Sequence, residues 1–304
     1  MPTNEQRRQA AKRKLERQLT RRAERAKRRR LTAVIATVVS VVVVVGLVVL
    51  FTHLGHGGSN TAAGSSNPPA TPTTPTKPPV LSKGQCKYAT TPAAPAPTGK
   101  DFGLPPDPAK TPNTGTVTVD LKTNSGDIPL TLDRAEAPCT VQSMDFLVGK
   151  KYFDNTPCHR ETNYPTPNPL FVLQCGDPTG QGSGGPGFGI PDEKPKNLKA
   201  APTSTPVPAG QQAPVVYPAG TVAMANSGQP NSGGSQFFLV YKDSQLPPNY
   251  TVFGTVTAAG MDVLNKIAAA GITPGTDPSN GQPTPNDGKP KTPVTITQAT
   301  TTAA

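Results

Sequence analysis

The chain has no tryptophan and only three histidines in 304 residues, and its four cysteines never occur as C-x-x-C. That speaks against a His-rich metal centre and a histidine-cluster pH sensor, and the cysteine spacing suits neither a zinc site nor a thioredoxin-like pair. Charge is scarce too: Asp, Glu, Lys and Arg make up 16%, against ~25% in an average globular chain. Hydrophobic residues reach only 34%, which is low for one packed body of this length. Proline is the residue in excess, with 38 copies.

The net charge of +11 sits at one end. Residues 1–30 carry thirteen Lys and Arg against three Glu, and the rest of the chain is nearly balanced. Basic tails of this kind often bind nucleic acid, but the next segment points elsewhere. Residues 31–54 (LTAVIATVVSVVVVVGLVVLFTHL) contain no charge. As a helix they would span ~36 Å, enough for a ~30 Å hydrocarbon core. Residues 1–30 are therefore expected to be a cytoplasmic tail, and 31–54 a transmembrane helix that places all later residues outside the membrane. No nucleic-acid partner is implied. A cleaved signal peptide is the rival, although its apolar core normally runs ~7–15 residues. Residues 55–114 hold thirteen prolines among Ser, Thr, Ala and Gly. They read as a disordered, partly polyproline spacer, in which Cys86 hints that one part is pinned down.

From Gly115 the pattern changes to short alternating runs. Thr116–Lys122 and Asp127–Leu132 are predicted strands joined by a turn at Asn124-Ser125-Gly126. Phe171–Gln174, Thr221–Ala225, Gln236–Tyr241, Thr251–Val256 and Val294–Thr297 are further strands. Ala137–Gly149 has the spacing of an apolar helix face with Pro138 in its first turn, and Met261–Ala270 is a second helix stopped by Gly271. Many short strands with two helices predict a mainly β domain, a barrel or a sandwich.

Several motifs carry little. Gly180–Gly185 fits G-x-G-x-x-G, but Pro186 follows where a dinucleotide site needs a helix. His53 and His56 lie at the membrane boundary without other ligands. His159 is the only histidine in the predicted domain, and nothing builds a Ser-His-Asp set around it. Asn249-Tyr-Thr251 is a chance-level glycosylation sequon.

Five fragments remain: Cys158-His-Arg160, Phe171-Val-Leu-Gln-Cys-Gly-Asp177, Met224-Ala-Asn226, Gly234-Ser-Gln-Phe-Phe238 and Tyr250-Thr-Val-Phe-Gly254. Their order and spacing resemble the cyclophilin-type peptidyl-prolyl cis-trans isomerases over residues 115–298, leaving 299–304 as a tail. The basic N-terminus, apolar run, Pro-rich spacer and four cysteines resemble the membrane-anchored actinobacterial members. The resemblance implies a closed eight-stranded antiparallel barrel capped by two helices, acting as a monomer on proline-containing segments of exported proteins. It implies no metal or organic cofactor. Arg160 would be the catalytic donor to the prolyl nitrogen, oriented by Gln174. Phe171, Val172, Phe238 and Leu246 would form the apolar cup, with Ala225, Asn226, Gln236 and Tyr250 holding the peptide. A prolyl-peptide binding module or holdase at the cell wall is the alternative.

Three departures from the family stand out. Gln245 replaces a frequent Trp, Tyr250 replaces the usual rim His, and ten residues separate Arg160 from Phe171 where the family has a short turn. The cysteines Cys86, Cys139, Cys158 and Cys175 all follow the apolar run, so the expected compartment is oxidising. Cys86 is expected to bridge to the domain. Cys158 and Cys175 would lie on strands that the family pairs as neighbours, but strand parity argues against joining them: with Arg160 and Gln174 on one face, Cys158 shares that face and Cys175 does not.

Overall fold

A computed structural model describes residues 84–90, 102–202, 207, 212–277 and 279–303. The basic tail and the apolar run predicted to span the membrane lie outside these residues. No helix among the described residues is long and apolar enough to cross a membrane.

The first strand, β1 (Ala89–Thr90), lies in the stretch read as a spacer. A hairpin of β2 (Thr116–Thr123) and β3 (Gly126–Asp133) follows. Its alternation is direct: Val117, Val119 and Leu121 on one strand and Ile128, Leu130 and Leu132 on the other are all buried. Asn124 and Ser125 form the turn, and Gly126 enters β3 at φ +124°, in the positive region that favours glycine. Helix α1 (Pro138–Gly149) starts on its proline, as predicted. Its first amides are capped from afar, Cys139 and Thr140 N–H both donating to the Glu193 carboxylate at 2.9 Å.

Next come β4 (Thr156–Pro157), β5 (Arg160–Tyr164), β6 (Leu170–Cys175), β7 (Phe188–Gly189), β8 (Val215–Tyr217) and β9 (Thr221–Met224). They are followed by β10 (Phe237–Lys242), β11 (Ser244–Leu246) and β12 (Val252–Val256). Helix α2 (Ala258–Ala270) is capped by Thr257, whose hydroxyl accepts from Gly260 N–H, and ends at Gly271. The chain closes with β13 (Ile272–Thr276), β14 (Pro283–Pro290) and β15 (Thr295–Ala303). Strand β15 pairs with β2 as far as Ala303, so most of the residues read as a tail after 298 belong to it.

The main sheet is antiparallel in the order β13-β14-β5-β6-β10-β9-β12-β3-β2-β15-β4. It curls as a half-barrel rather than the closed eight-stranded barrel expected. Its ends are β13 and the two-residue β4, which stops at Pro157, a residue with no N–H to offer a further strand. One face of the sheet holds the main core, including Leu121, Leu130, Met144, Leu147, Leu173, Phe237, Leu239 and Phe253.

The Pro-rich stretch before Gly115 is partly built into this body. Cys86 and Tyr88 are fully buried, and Tyr88 donates to the Cys139 carbonyl at 2.7 Å. Cys86 bridges to Cys139, as expected for its attachment to the domain. The second bridge, Cys158–Cys175, corrects the parity argument. Cys158 and His159 precede β5 and lie outside the ladder, and the Cys158 N–H donates instead to Val294 O at 2.9 Å. Alternation cannot be extended across residues that are not extended strand.

Candidate functional site

One row of the sheet builds the site. Ala223 on β9 faces Phe238 on β10, Phe238 faces Gln174 on β6, and Gln174 faces Arg160 on β5. Residues in register share a face, so the predicted donor, its orienting amide and the predicted cup ring stand side by side. The cup is a separate apolar cluster on the face opposite the main core: Val172, Tyr217, Ala223, Phe238 and Val240 are buried there, with Ala225, Leu246, Tyr250 and Val252 half-buried against them. The Phe238 and Tyr250 rings meet edge to face at 5.5 Å. Tyr217, buried beneath both, was not anticipated. Its hydroxyl lies 3.1 Å from Pro247 O and accepts from Tyr250 N–H at 3.3 Å, and burial pushes its pKa up to about 12.

Phe171 takes another place. Its N–H donates to Ser244 Oγ, and its ring lies 5.8 Å from Tyr241 with the Lys242 ammonium 4.9 Å from its centre. It is absent from the cluster around Phe238. The ten residues between Arg160 and Phe171 do not form a loose loop either. Strands β5 and β6 stay in register out to Tyr164 opposite Leu170, and Thr162 Oγ1 bonds both Leu170 O and Val172 N. Prolines 165, 167 and 169 sit in the turn, which is why these residues read as a loop in sequence. Gln245, at the place of the family's Trp, holds β11 to this turn through its N–H to Pro169 O at 2.7 Å.

The polar half of the site is a relay of side chains. Arg160 Nη1 donates to Gln174 Oε1 at 3.2 Å, and Gln174 Nε2 to Gln236 Oε1 at 2.9 Å. Gln236 Nε2 then donates to the carbonyls of Gly182 and Gly184 at 3.0 and 2.9 Å. Those glycines belong to the loop that resembled a dinucleotide motif, and here they wrap Asp177. Its carboxylate accepts from the N–H groups of Thr179, Gly182 and Gly184 and from the Thr179 hydroxyl. Burial alone would raise the Asp177 pKa, but these bonds outweigh it and hold the group below its ordinary value. A side chain at Gly184 would run into Asp177, its Cβ falling 2.1 Å from Oδ1. Asn226 sits at the far end, its amide donating to Asn249 O at 3.0 Å, while Ala225 N–H is used by Gln236 O.

Two carboxylates escaped the sequence reading. Asp287 on β14 grips the side of the Arg160 guanidinium, with Nε to Oδ1 at 2.8 Å and Nη2 to Oδ2 at 2.7 Å. This bond pushes the Arg160 pKa further above its ordinary value. Glu161, next in sequence to Arg160, points to the opposite face and is 1% exposed. Neither carboxylate oxygen has a hydrogen-bond partner among the described residues, and burial pushes its pKa up to about 7. His159, with Gln181 and Lys289, lines the groove beside Arg160, and burial lowers its pKa. Among the described residues no group of three or more His, Cys, Asp or Glu could hold a metal ion.

The family model described as cyclophilin type peptidyl-prolyl cis-trans isomerase/CLD matches residues 118–301, more than half of the chain. The chain belongs to the cyclophilin family. A probable peptidyl-prolyl cis-trans isomerase B of Mycobacterium leprae is 48% identical over 217 residues, covering 69% of this chain and 64% of that protein. Its counterpart in Mycobacterium tuberculosis is 44% identical over 215 residues, covering 70% and 62%. The chain thus spans just under two thirds of the length of these curated relatives, which agree with the actinobacterial resemblance. A peptidyl-prolyl cis-trans isomerase of Helicobacter pylori is 34% identical over 154 residues, covering 50% of this chain and 80% of that protein. Among solved structures, a cyclophilin of Cryptosporidium parvum aligns with 62% of this chain and 99% of its own at 25% identity and a TM-score of 0.43. Within the cyclophilin domain, the Asp287–Arg160 contact joins residues 127 positions apart, so no local motif could have revealed it.

Proposed function

We propose that the cyclophilin domain catalyses cis–trans isomerisation of X–Pro bonds in polypeptides outside the cytoplasmic membrane, assisting their folding. The activity rests on family membership together with one observation: a guanidinium held by Asp287 and Gln174 stands in the same row of the sheet as an apolar cup whose Phe238 is two strands away, with two N–H donors to spare. The X–Pro bond resists rotation by ~18–20 kcal/mol because its C–N bond has partial double character. No nucleophile is needed to lower that barrier. A donor to the prolyl nitrogen favours the pyramidal nitrogen of the twisted state, so its bond is stronger in the transition state than in the ground state.

In this reading Phe238, Val172, Leu246 and Tyr250 hold the proline ring, Asn226 and Ala225 guide the backbone, and Arg160 donates. Uncatalysed isomerisation takes tens to hundreds of seconds. Turnover at ~10–10³ s⁻¹ therefore requires ~4–7 kcal/mol. One charge-assisted hydrogen bond contributes ~1.5–3 kcal/mol, and the preorganised apolar cup must provide the remainder. The extracytoplasmic location is supported by the basic tail ahead of the uncharged 31–54 run and by two disulfides among the described residues.

The test is a prolyl-isomerisation assay on a Pro-containing peptide with the wild-type chain and Arg160→Ala. Wild type should accelerate the reaction and Arg160→Ala should lose most of the rate while still folding normally. Equal, slow rates for the two would reduce the domain to a prolyl-peptide binding module.

A further inference from the structure

Arg160 lies at the rim of its groove with 40% of its side chain exposed. An arginine there is mobile unless something holds it, and Gln174 offers a single bond at 3.2 Å. The stronger hold comes from Asp287, through two parallel bonds of 2.8 and 2.7 Å to the Nε/Nη2 edge. A fork of this kind fixes the plane of the guanidinium as well as its position. The carboxylate is itself held. Asp287 faces Thr162 on β5, two residues along from Arg160 on the same side, which is diagonal contact distance across a ladder. The Thr284 hydroxyl donates to the Asp287 carbonyl at 2.6 Å. Next to it, Gly288 passes so close to β13 that an added Cβ would fall 2.1 Å from Thr273 O. The β13–β14 hairpin therefore sets where the carboxylate stands.

A guanidinium has five N–H groups. Asp287 takes Nε–H and one on Nη2, and Gln174 takes one on Nη1. One N–H on each Nη remains. The carboxylate thus binds the side of the group and leaves donors at its tip, which is the arrangement of a support and not of a mask.

We infer that Asp287 is a positioning residue for the isomerisation: its side-on ion pair holds the Arg160 guanidinium in the orientation from which the tip donates to the prolyl nitrogen. The inference rests on the reading of Arg160 as the donor. Because the interaction spends the ordering entropy of a long side chain before substrate arrives, its loss should appear in turnover more than in binding.

The experiment uses the full-length chain in detergent. Prolyl-isomerisation kinetics and hydrogen exchange at Arg160 Nε–H, followed by NMR, are measured for wild type, Asp287→Asn, Asp287→Glu, Arg160→Ala and the Arg160→Ala/Asp287→Asn double variant. For Asp287→Asn, kcat should fall about three- to tenfold with KM within about twofold of wild type, and Nε–H exchange should speed up at least about tenfold. Asp287→Glu should recover part of both, and the double variant should be no slower than Arg160→Ala alone. Unchanged kcat, a raised kcat or a rise confined to KM would each overturn the inference. So would Nε–H exchange that stays slow in Asp287→Asn. An inactive wild type would instead bring down the proposed activity, and the positioning role with it. Should Asp287→Asn fail to fold, the wild type decides alone: raising salt from about 0.05 to 1 M screens an exposed pair, so exchange should quicken and kcat fall together, and a salt response in neither would refute the role.

Discussion

Replacing Glu161 by leucine should stabilise the protein, and the gain should grow with pH. On the inner face of the sheet Glu161 pairs with Leu173, Leu173 with Leu239 and Leu239 with Val222, so its carboxylate occupies a row of apolar side chains. Burial moves its pKa from 4.5 to about 7. Between those two values the native protein holds a proton that the unfolded chain has already released, so stability falls as pH rises through this window and is level above it. The move corresponds to a penalty of roughly 3 kcal/mol at pH 8, roughly 1 kcal/mol at pH 5.5 and almost nothing at pH 4. Leucine does not titrate and suits the apolar row, so the difference between variant and wild type should trace that curve. At pH 8 it corresponds to a rise in Tm of roughly 6–12 °C. The assay is denaturant unfolding of both proteins, disulfides intact, from pH 4 to 8.5. Other titrating groups, such as His159 with its lowered pKa and Glu193 with its raised one, act equally in both proteins and cancel in the difference. Two parallel stability curves, or a variant less stable than wild type at pH 8, would refute the reasoning.

Two further predictions concern the Cys86 bridge and the segments that precede the domain. Cys86→Ser combined with Cys139→Ser opens a 53-residue closure and should cost ~4 kcal/mol in the chain-entropy model. The loss is read from the guanidinium midpoint, and an unmoved midpoint would refute it. The proposed topology predicts that protease added to intact spheroplasts removes the cyclophilin domain and leaves residues 1–54 protected. Cleavage only after lysis would sink the topology, and a mature N-terminus within the 55–114 stretch would favour signal cleavage instead.

Features that depend on near neighbours in the chain were readable from the residues alone. The alternating valines and leucines of β2 and β3, the helix behind Pro138 and the helix stopped by Gly271 express local periodicity, whereas Arg160, Gln174 and Phe238 were picked out by the resemblance of their fragments to the family. That periodicity dictates which side chains share a face. Tertiary structure decided the rest. The hairpin carrying Asp287 is rich in Pro and Gly and has little strand signature, and its meeting with Arg160 is made by sheet order across more than a hundred residues. Strand β5 was hidden by the prolines of its own turn, so neither the buried setting of Glu161 nor the end of the ladder before Arg160 could be inferred. The Cys158–Cys175 bridge follows from that end, because a parity rule holds only where the chain is extended. Tyr217 lies on a three-residue strand too short to carry a pattern, and only packing places it under the cup. Local propensity thus determined the elements and their faces, whereas the contacts that hold the candidate donor in place depend on which distant strands the sheet sets side by side.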